Sequence, residues 1–197
     1  HMNITDYIVN DFKPLTNQNT VKEALAICRN YPVTHIPIVN NAIYLGSISQ
    51  TDLLTIENKE TQIHNLTDIF DHFYATGEEN ILELLHLFAD DDTNVIPVIQ
   101  DNKYSGYFEL NDILDFSKIE AGALKLEDRV VEIKALLAQL AKVFSSSSVK
   151  SGVKFNLSIA DNIPEYIRLD PLRFSQVINN ILSNAGKFTE SGEINMQ

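Results

Sequence analysis

Two stretches of the chain set polar side chains at spacings that can bind a ligand. In Gly46-Ser47-Ile48-Ser49-Gln50-Thr51-Asp52 a hydroxyl precedes a carboxylate by three residues at a helix start. Ser49 and Asp52 can exchange hydrogen bonds with ribose hydroxyls, and the N–H groups of a first helical turn suit a phosphate. The same spacing is a capping box, so Ser49 and Asp52 serving only the helix is the other reading. The second stretch opens at Asp170-Pro171, a good helix start. Arg173, Gln176, Asn180, Asn184 and Lys187 share one face of that helix. A neutral oxygen such as that of Asn184 can complete the octahedral shell of a Mg²⁺ held mainly by phosphates. Lys187, about one turn on, can neutralise phosphate oxygens. An amphipathic helix with a solvated polar face is the other reading here. His35, just before Pro37 on an apolar strand, either packs or borders a cleft. His64, His72 and His86 have no zinc-like spacing. Asp90-Asp91-Asp92 reads as a solvated turn, since the later ligands of a calcium loop are missing.

The elements that must position Ser49 and Asp52 come twice. His35-Ile36-Pro37-Ile38-Val39 returns as Val95-Ile96-Pro97-Val98-Ile99. Tyr44-Leu45-Gly46 returns as Tyr104-Ser105-Gly106, and Thr51-Asp52-Leu53-Leu54 as Asn111-Asp112-Ile113-Leu114. These pairs are offset by 60, whereas Ile4-Thr5-Asp6 and Leu66-Thr67-Asp68 are offset by 62, so the first copy has two extra loop residues. Asn19-Thr20 and Glu79-Asn80 are capping residues before apolar helix faces. The central proline lacks an N–H, which sends each first strand to an edge or a bend. Asn40-Asn41 and Gln100-Asp101-Asn102 are hairpin signals. An Asp-capped helix closes each copy, and the order is helix, strand, strand, helix.

Residues 3–116 resemble a tandem pair of CBS (cystathionine beta-synthase) domains, copy one over 3–60 and copy two over 64–116. The resemblance rests on the apolar-Pro-apolar strand, the hairpin and Gly-x-x-Ser-x-x-Asp, in phase 60 residues apart. It implies a back-to-back fold, further pairing into a homodimer, and AMP, ADP or ATP in clefts between the copies. The second copy keeps Asp112 but has Glu109 in place of the hydroxyl. A carboxylate there repels phosphate, so one competent cleft is expected, on Ser49 and Asp52, with His35 at its border.

From Leu110 the chain reads LNDILDFSKIEAGALKLE, and one helix over 110–126 is expected to join the copies to the C-terminal stretch. Ile133 to Phe144 has the apolar spacing of an amphipathic helix, and Val153 to Ile159 alternates like a half-exposed strand. Phe174, Val177, Ile178, Ile181, Leu182 and Ala185 form the apolar face of the helix after Asp170. NDILDFSKIEAG and DPLRFSQVINNILSNAGKFTESGEI resemble the histidine kinase family: the end of its second dimerisation helix and the N box of its ATP-binding domain. By that resemblance Asn184 is a Mg²⁺ ligand, and Asn180 and Lys187 contact nucleotide phosphate. No histidine of the chain is followed by an acidic residue, as the family's phosphoacceptor is, and there is no Gly-x-Gly. Residues 127–197 therefore read as a truncated ATP-binding domain, with a sheet edge and a helix face that need covering, and catalysis in cis is not expected.

Charge divides the chain similarly. Net charge is −12, with 18 Asp+Glu against 5 Lys+Arg in residues 1–116 and 9 against 10 thereafter. A field of that sign argues against nucleic-acid binding by the first half. It reads as a solvated surface or, alternatively, an acidic docking site. No apolar run reaches the roughly 18 residues of a membrane span. The lone Cys28 fits a reducing cytoplasm, and His1-Met2 resembles a tag remnant. The expected fold class is α+β: a CBS pair, a connecting helix and a partial kinase ATPase sandwich. These features admit three functional readings. The chain is a nucleotide-sensing module with a non-catalytic kinase fragment, a segment of a CBS-regulated sensor kinase, or a recombined chimera with no evolved function.

Overall fold

The computed structural model describes residues 3–147 and 152–197, and the side chains of Ser147 and Lys187 lie outside that description. The chain divides into two compact units, His1–Leu124 and Lys125–Gln197. The charge step at about residue 116 thus falls just ahead of the structural boundary.

The first unit holds the repeat: α1 (Val21–Asn30), β1 (His35–Asn40), β2 (Ile43–Ser49), α2 (Gln50–Thr55), then α3 (Ile81–Asp90), β3 (Val95–Gln100), β4 (Lys103–Glu109), α4 (Leu110–Glu120). Thr20 caps α1 by accepting from Glu23 N–H, and Asn80 and Glu83 cap α3 reciprocally. Both hairpins close through two residues of positive φ, Asn41-Ala42 and Asp101-Asn102, as a type I′ turn requires. At the outer edge of β1 lies Leu15, whose N–H donates to Pro37 O (2.9 Å) and whose carbonyl accepts from Val39 N–H (2.7 Å). Ala75 does the same for Pro97 and Ile99 (2.8 Å each). Both prolines therefore sit at edges, as their missing N–H demands.

The copies exchange their lead-in segments. Val9 makes two backbone bonds to Tyr107 of β4 (3.0 Å each), and Asp71 makes two to Ser47 of β2 (2.7 and 2.8 Å). Ile4, Tyr7 and Ile8 pack with Phe108, Ile113 and Phe116, whereas Ile63, Leu66, Ile69 and Phe70 pack with Leu15, Ile38 and Leu53. Sequence-contiguous copies over 3–60 and 64–116 are thus not the packing units. Val9 corresponds to Asp71 and Leu15 to Ala75, which puts the two extra residues between Val9 and Leu15.

The expected helix over 110–126 is shorter. It stops at Glu120, where Gly122 N–H donates to Ile119 O (3.0 Å) and Ala123 N–H to Lys118 O (2.8 Å). With Gly122 at φ +63° this is a Schellman stop. Residues 123–128 carry neither helix nor strand.

The second unit contains β5 (Arg129–Glu132), α5 (Ile133–Ser147), β6 (Val153–Leu157), β7 (Tyr166–Leu169), α6 (Pro171–Phe188) and β8 (Gly192–Met196). β5 pairs antiparallel with β7, and β6 parallel with β8. Phe144 of α5, Leu182 of α6 and Ile194 of β8 form its core, joined by Phe155, whose ring meets Phe144 edge-on at 5.0 Å. Asp170 caps α6 with Oδ1 accepting from Leu172 and Arg173 N–H, while Oδ2 accepts from Glu127 N–H (2.9 Å). The face of α6 expected to be buried is split. Leu182 is buried, but Val177 and Ile181 are exposed, as is Phe188 at 76%.

Candidate functional site

Ser49 ends β2 and is the N-cap of α2, where its Oγ accepts from Asp52 N–H at 3.0 Å. The cap is therefore Ser49, not the aspartate, and Asp52 lies in the first turn. The bond uses an acceptor lone pair of the hydroxyl, and its proton takes no part in it. α2 is only six residues long, and its C-terminal carbonyls of Leu53, Leu54 and Ile56 accept from Lys59 Nζ.

His35 begins β1 directly opposite Ser49 in the hairpin register. Its ring is buried, edge-on to Phe73, with Nδ1 2.9 Å from Thr34 Oγ1 and Nε2 3.5 Å from Asp71 Oδ2. Burial holds the imidazole below its usual range, against the opposing pull of Asp71, Asp52, Asp91 and Asp92. The structure thus brings His35, Ser49 and Asp52 together. It also adds three carboxylates that sequence reasoning missed, from the exchanged lead-in and from the end of α3. Tyr44 Oη, within hydrogen-bond distance of Ser47 Oγ (3.0 Å) and Phe73 O (2.9 Å), closes one side.

Asp112 occupies the matching place in α4, away from Ser49. Glu109, the N-cap residue there, makes no side-chain capping bond. Burial first, then Asp112 and Asp11, push the Glu109 carboxyl up; burial, Asp11 and Asp115 do the same to Asp112. This second cleft is as acidic as the first. Two like charges about 6 Å apart repel by about 3 kcal/mol at the effective dielectric of a protein surface. One hydrogen bond returns about 1 kcal/mol, so the sign of these groups outweighs any single polar contact with a phosphate.

The two halves meet through Thr34 and Asn94, positions related by the repeat. Thr34 N–H donates to Asn94 Oδ1 (2.8 Å), and Asn94 N–H donates to Thr34 Oγ1 (3.0 Å). A groove of about 970 Å³ in this unit is lined by Asn3, Tyr44, Tyr74, Glu78, Gln100 and Asp101 among others; Ser49, Asp52, His35 and Asp112 are not among its walls.

In the second unit Asn180 and Asn184 stand one turn apart on α6, both exposed. Lys187 lies on the same helix, but its side chain is outside the described residues. Among the described residues no group of three or more His, Cys, Asp or Glu side chains is placed to hold a metal ion, and no helix is long and apolar enough to cross a membrane.

These observations define a CBS-type fold in the first unit, and comparison with known proteins agrees. Residues 4–58 match the CBS domain family. A CBS domain pair/ACT domain protein from Thermotoga maritima shares the fold at TM-score 0.53 and 23% identity, over 61% of this chain and 98% of that one. CBSX2, solved in complex with AMP, does so at TM-score 0.50 and 16% identity, over 61% and 99%. Sequence similarity also reaches the histidine kinases. Histidine kinase 3 of Arabidopsis thaliana is 32% identical over 128 residues, 62% of this chain and 12% of that protein. The signal transduction histidine-protein kinase BarA of Escherichia coli is 40% identical over 87 residues, 44% and 10%. The chain thus spans about a tenth of the length of these relatives.

Proposed function

We propose that the chain is a regulatory part of a signalling protein, in which the CBS pair binds an adenine nucleotide and the second unit is a catalytically incomplete histidine kinase fragment. The observation that carries this reading is the meeting of Ser49, Asp52 and His35 at one end of the first hairpin, in a fold shared with a CBS protein solved with AMP. Asp52 would take the ribose hydroxyls, with Ser49 donating beside it. Asn180, Lys187 and the Mg²⁺ ligand Asn184 would be the phosphate side of a kinase nucleotide site. Pairing through the first unit into a homodimer belongs to the same proposal.

Thermal melting of the whole chain with adenosine, AMP, ADP and ATP tests it. Stabilisation is expected without Mg²⁺, and Asp52→Ala or Ser49→Ala should weaken it. The second reading, a working segment of a CBS-regulated kinase, is favoured by the kinase relatives. It requires instead a Mg²⁺-dependent shift with ATP that Asn184→Ala abolishes, and that result would sink the first reading.

A further inference from the structure

The groove of about 970 Å³ lies by the turn of the second hairpin, and its size is that of a small-molecule site. Its apolar wall is Ile43 and Ile99 with the rings of Tyr44 and Tyr74, edge-on to each other at 6.3 Å. Ile43 and Tyr74 are half-exposed there. The loop on one side has spent its backbone donors. Thr76 and Gly77 N–H both donate to the Glu79 carboxylate (2.7 and 2.9 Å), and Glu78 N–H donates to Thr76 Oγ1 (3.3 Å). Tyr44 Oη donates to Phe73 O (2.9 Å), so Tyr44 offers only its ring. The carboxylates of Glu78 and Asp101 remain. Both residues are exposed, and among the described residues neither side chain is drawn into a hydrogen bond or ion pair.

The repeat supplies an internal comparison. Ala75 corresponds to Leu15 and Tyr104 to Tyr44, so the places matching this groove on the other copy follow by the same offset. Gln18 stands for Glu78, Asn41 for Asp101, Pro14 for Tyr74 and Lys103 for Ile43. The frame is the same on both sides. Thr16 N–H donates to Asn19 Oδ1 as Thr76 N–H does to Glu79, and Asn41 and Asp101 share a positive φ. Neither the loop nor the turn therefore requires a carboxylate at 78 or 101. Two carboxylates and a second ring mark one side, where the other has amides, a proline and a lysine.

We propose that this groove binds a small organic cation, a guanidinium or ammonium carried on a short apolar stem. The charge meets Glu78, Asp101 and the Tyr74 ring, and the stem lies along Ile43 and Ile99. An aromatic ring and a carboxylate both favour a cation, and a planar guanidinium suits them best because it stacks and donates paired hydrogen bonds. An anion finds the loop amides already occupied and two carboxylates opposed to it. The site shares no wall with Ser49, Asp52 or His35 and stands or falls independently of them.

Calorimetric titration of the whole chain with agmatine, putrescine and 4-guanidinobutyrate is the test. Agmatine is expected to bind at one site per chain, at least as tightly as putrescine and about tenfold more tightly than 4-guanidinobutyrate, whose carboxylate meets the same acidic wall. Glu78→Gln combined with Asp101→Asn gives the groove the amides of its counterpart and should weaken agmatine about tenfold. Both positions are exposed, and asparagine accepts the positive φ at 101, so the fold is kept, as circular dichroism will show. Tyr74→Leu should weaken agmatine about threefold, through the lost ring. Glu57, an exposed carboxylate outside the groove, is the control, and Glu57→Gln should change nothing. An equal loss in that control would mean attraction to the overall negative charge and would overturn the site. A capped Gly-Arg-Gly peptide binding more tightly than agmatine would give the groove to an arginine of a partner protein and overturn the small-ligand assignment. Binding of neither agmatine nor putrescine would overturn the proposal outright.

Discussion

Glu109 stands where the first copy has Ser49, and the exchange of a hydroxyl for a carboxyl has a measurable sign. Burial and the neighbours Asp112 and Asp11 raise its pKa above the ordinary 4.5. The folded state therefore holds a proton there more tightly than the unfolded chain. Stability from this group is fully present below pH 4.5 and is lost as pH rises through the folded value. At neutral pH the charged carboxylate is a liability, and Glu109→Gln is expected to raise stability at pH 7 by about 0.5 kcal/mol, a modest figure because the site is partly solvated. In urea titrations at several pH values, the gain should vanish on acidification; a gain independent of pH would sink the electrostatic account. His35 runs the other way. Its folded pKa lies below 6.5, so its contribution is present above 6.5 and falls as pH drops through the folded value. The two opposing slopes mean that the difference between parent and variant, rather than the parent curve, is the informative quantity. Of these side chains, Ser49, Asp52 and Asp112 were legible from the repeated motif. The carboxylates of Asp71, Asp91 and Asp92 were not legible as neighbours of His35, because separate segments of the chain bring them there.

At the scale of elements, the two glycines of the repeat are there to let another backbone pass. Gly106 has φ +135°, and a Cβ on it would lie 2.7 Å from both Val9 O and the Ile8 side chain. Gly106→Ala should therefore cost about 3 kcal/mol, from strain and a backbone clash together. Gly122 offers the contrast: positive φ, but open space around the missing Cβ. Gly122→Ala should cost only about 1 kcal/mol, the left-handed penalty alone. Denaturant unfolding of both variants checks the ratio, and equal losses would remove the close approach as the explanation. Helices and hairpins of the first unit were readable because caps, turns and apolar periods agree locally. β5 and β7 escaped, since four residues such as Arg129–Glu132 or Tyr166–Leu169 are too short to show alternation. The stop of α4 at Gly122 escaped too, because an apolar stripe that continues to Ile119 masked an ordinary glycine C-cap.

For the first unit as a whole, the exchanged lead-ins decide what can fold. Residues 3–60 alone would leave Ile4, Tyr7 and Ile8 with no second core to enter, and would lack Ile63, Leu66 and Phe70 from the first. That fragment is expected to be unfolded or aggregated by circular dichroism and sedimentation, whereas residues 3–124 fold; a stable, monomeric 3–60 would contradict the exchange. None of this was legible in the repeat itself. Val9–Tyr107 and Ser47–Asp71 are single backbone bridges, which impose no side-chain pattern. The exchange also fixes where the ends of the pair lie. The tilted rings of Tyr7 and Phe116 lie 4.8 Å apart, and Asn3 and Glu120 line one groove. Start and finish of this unit are therefore neighbours in space. Its chain could be reopened between the lead-in and the first core, near Asp11, and sealed from Glu120 to Asn3 by a few residues. Such a circular permutant would turn each spatial core into one uninterrupted stretch of sequence, and its two halves, unlike the native copies, could be expressed apart and mixed.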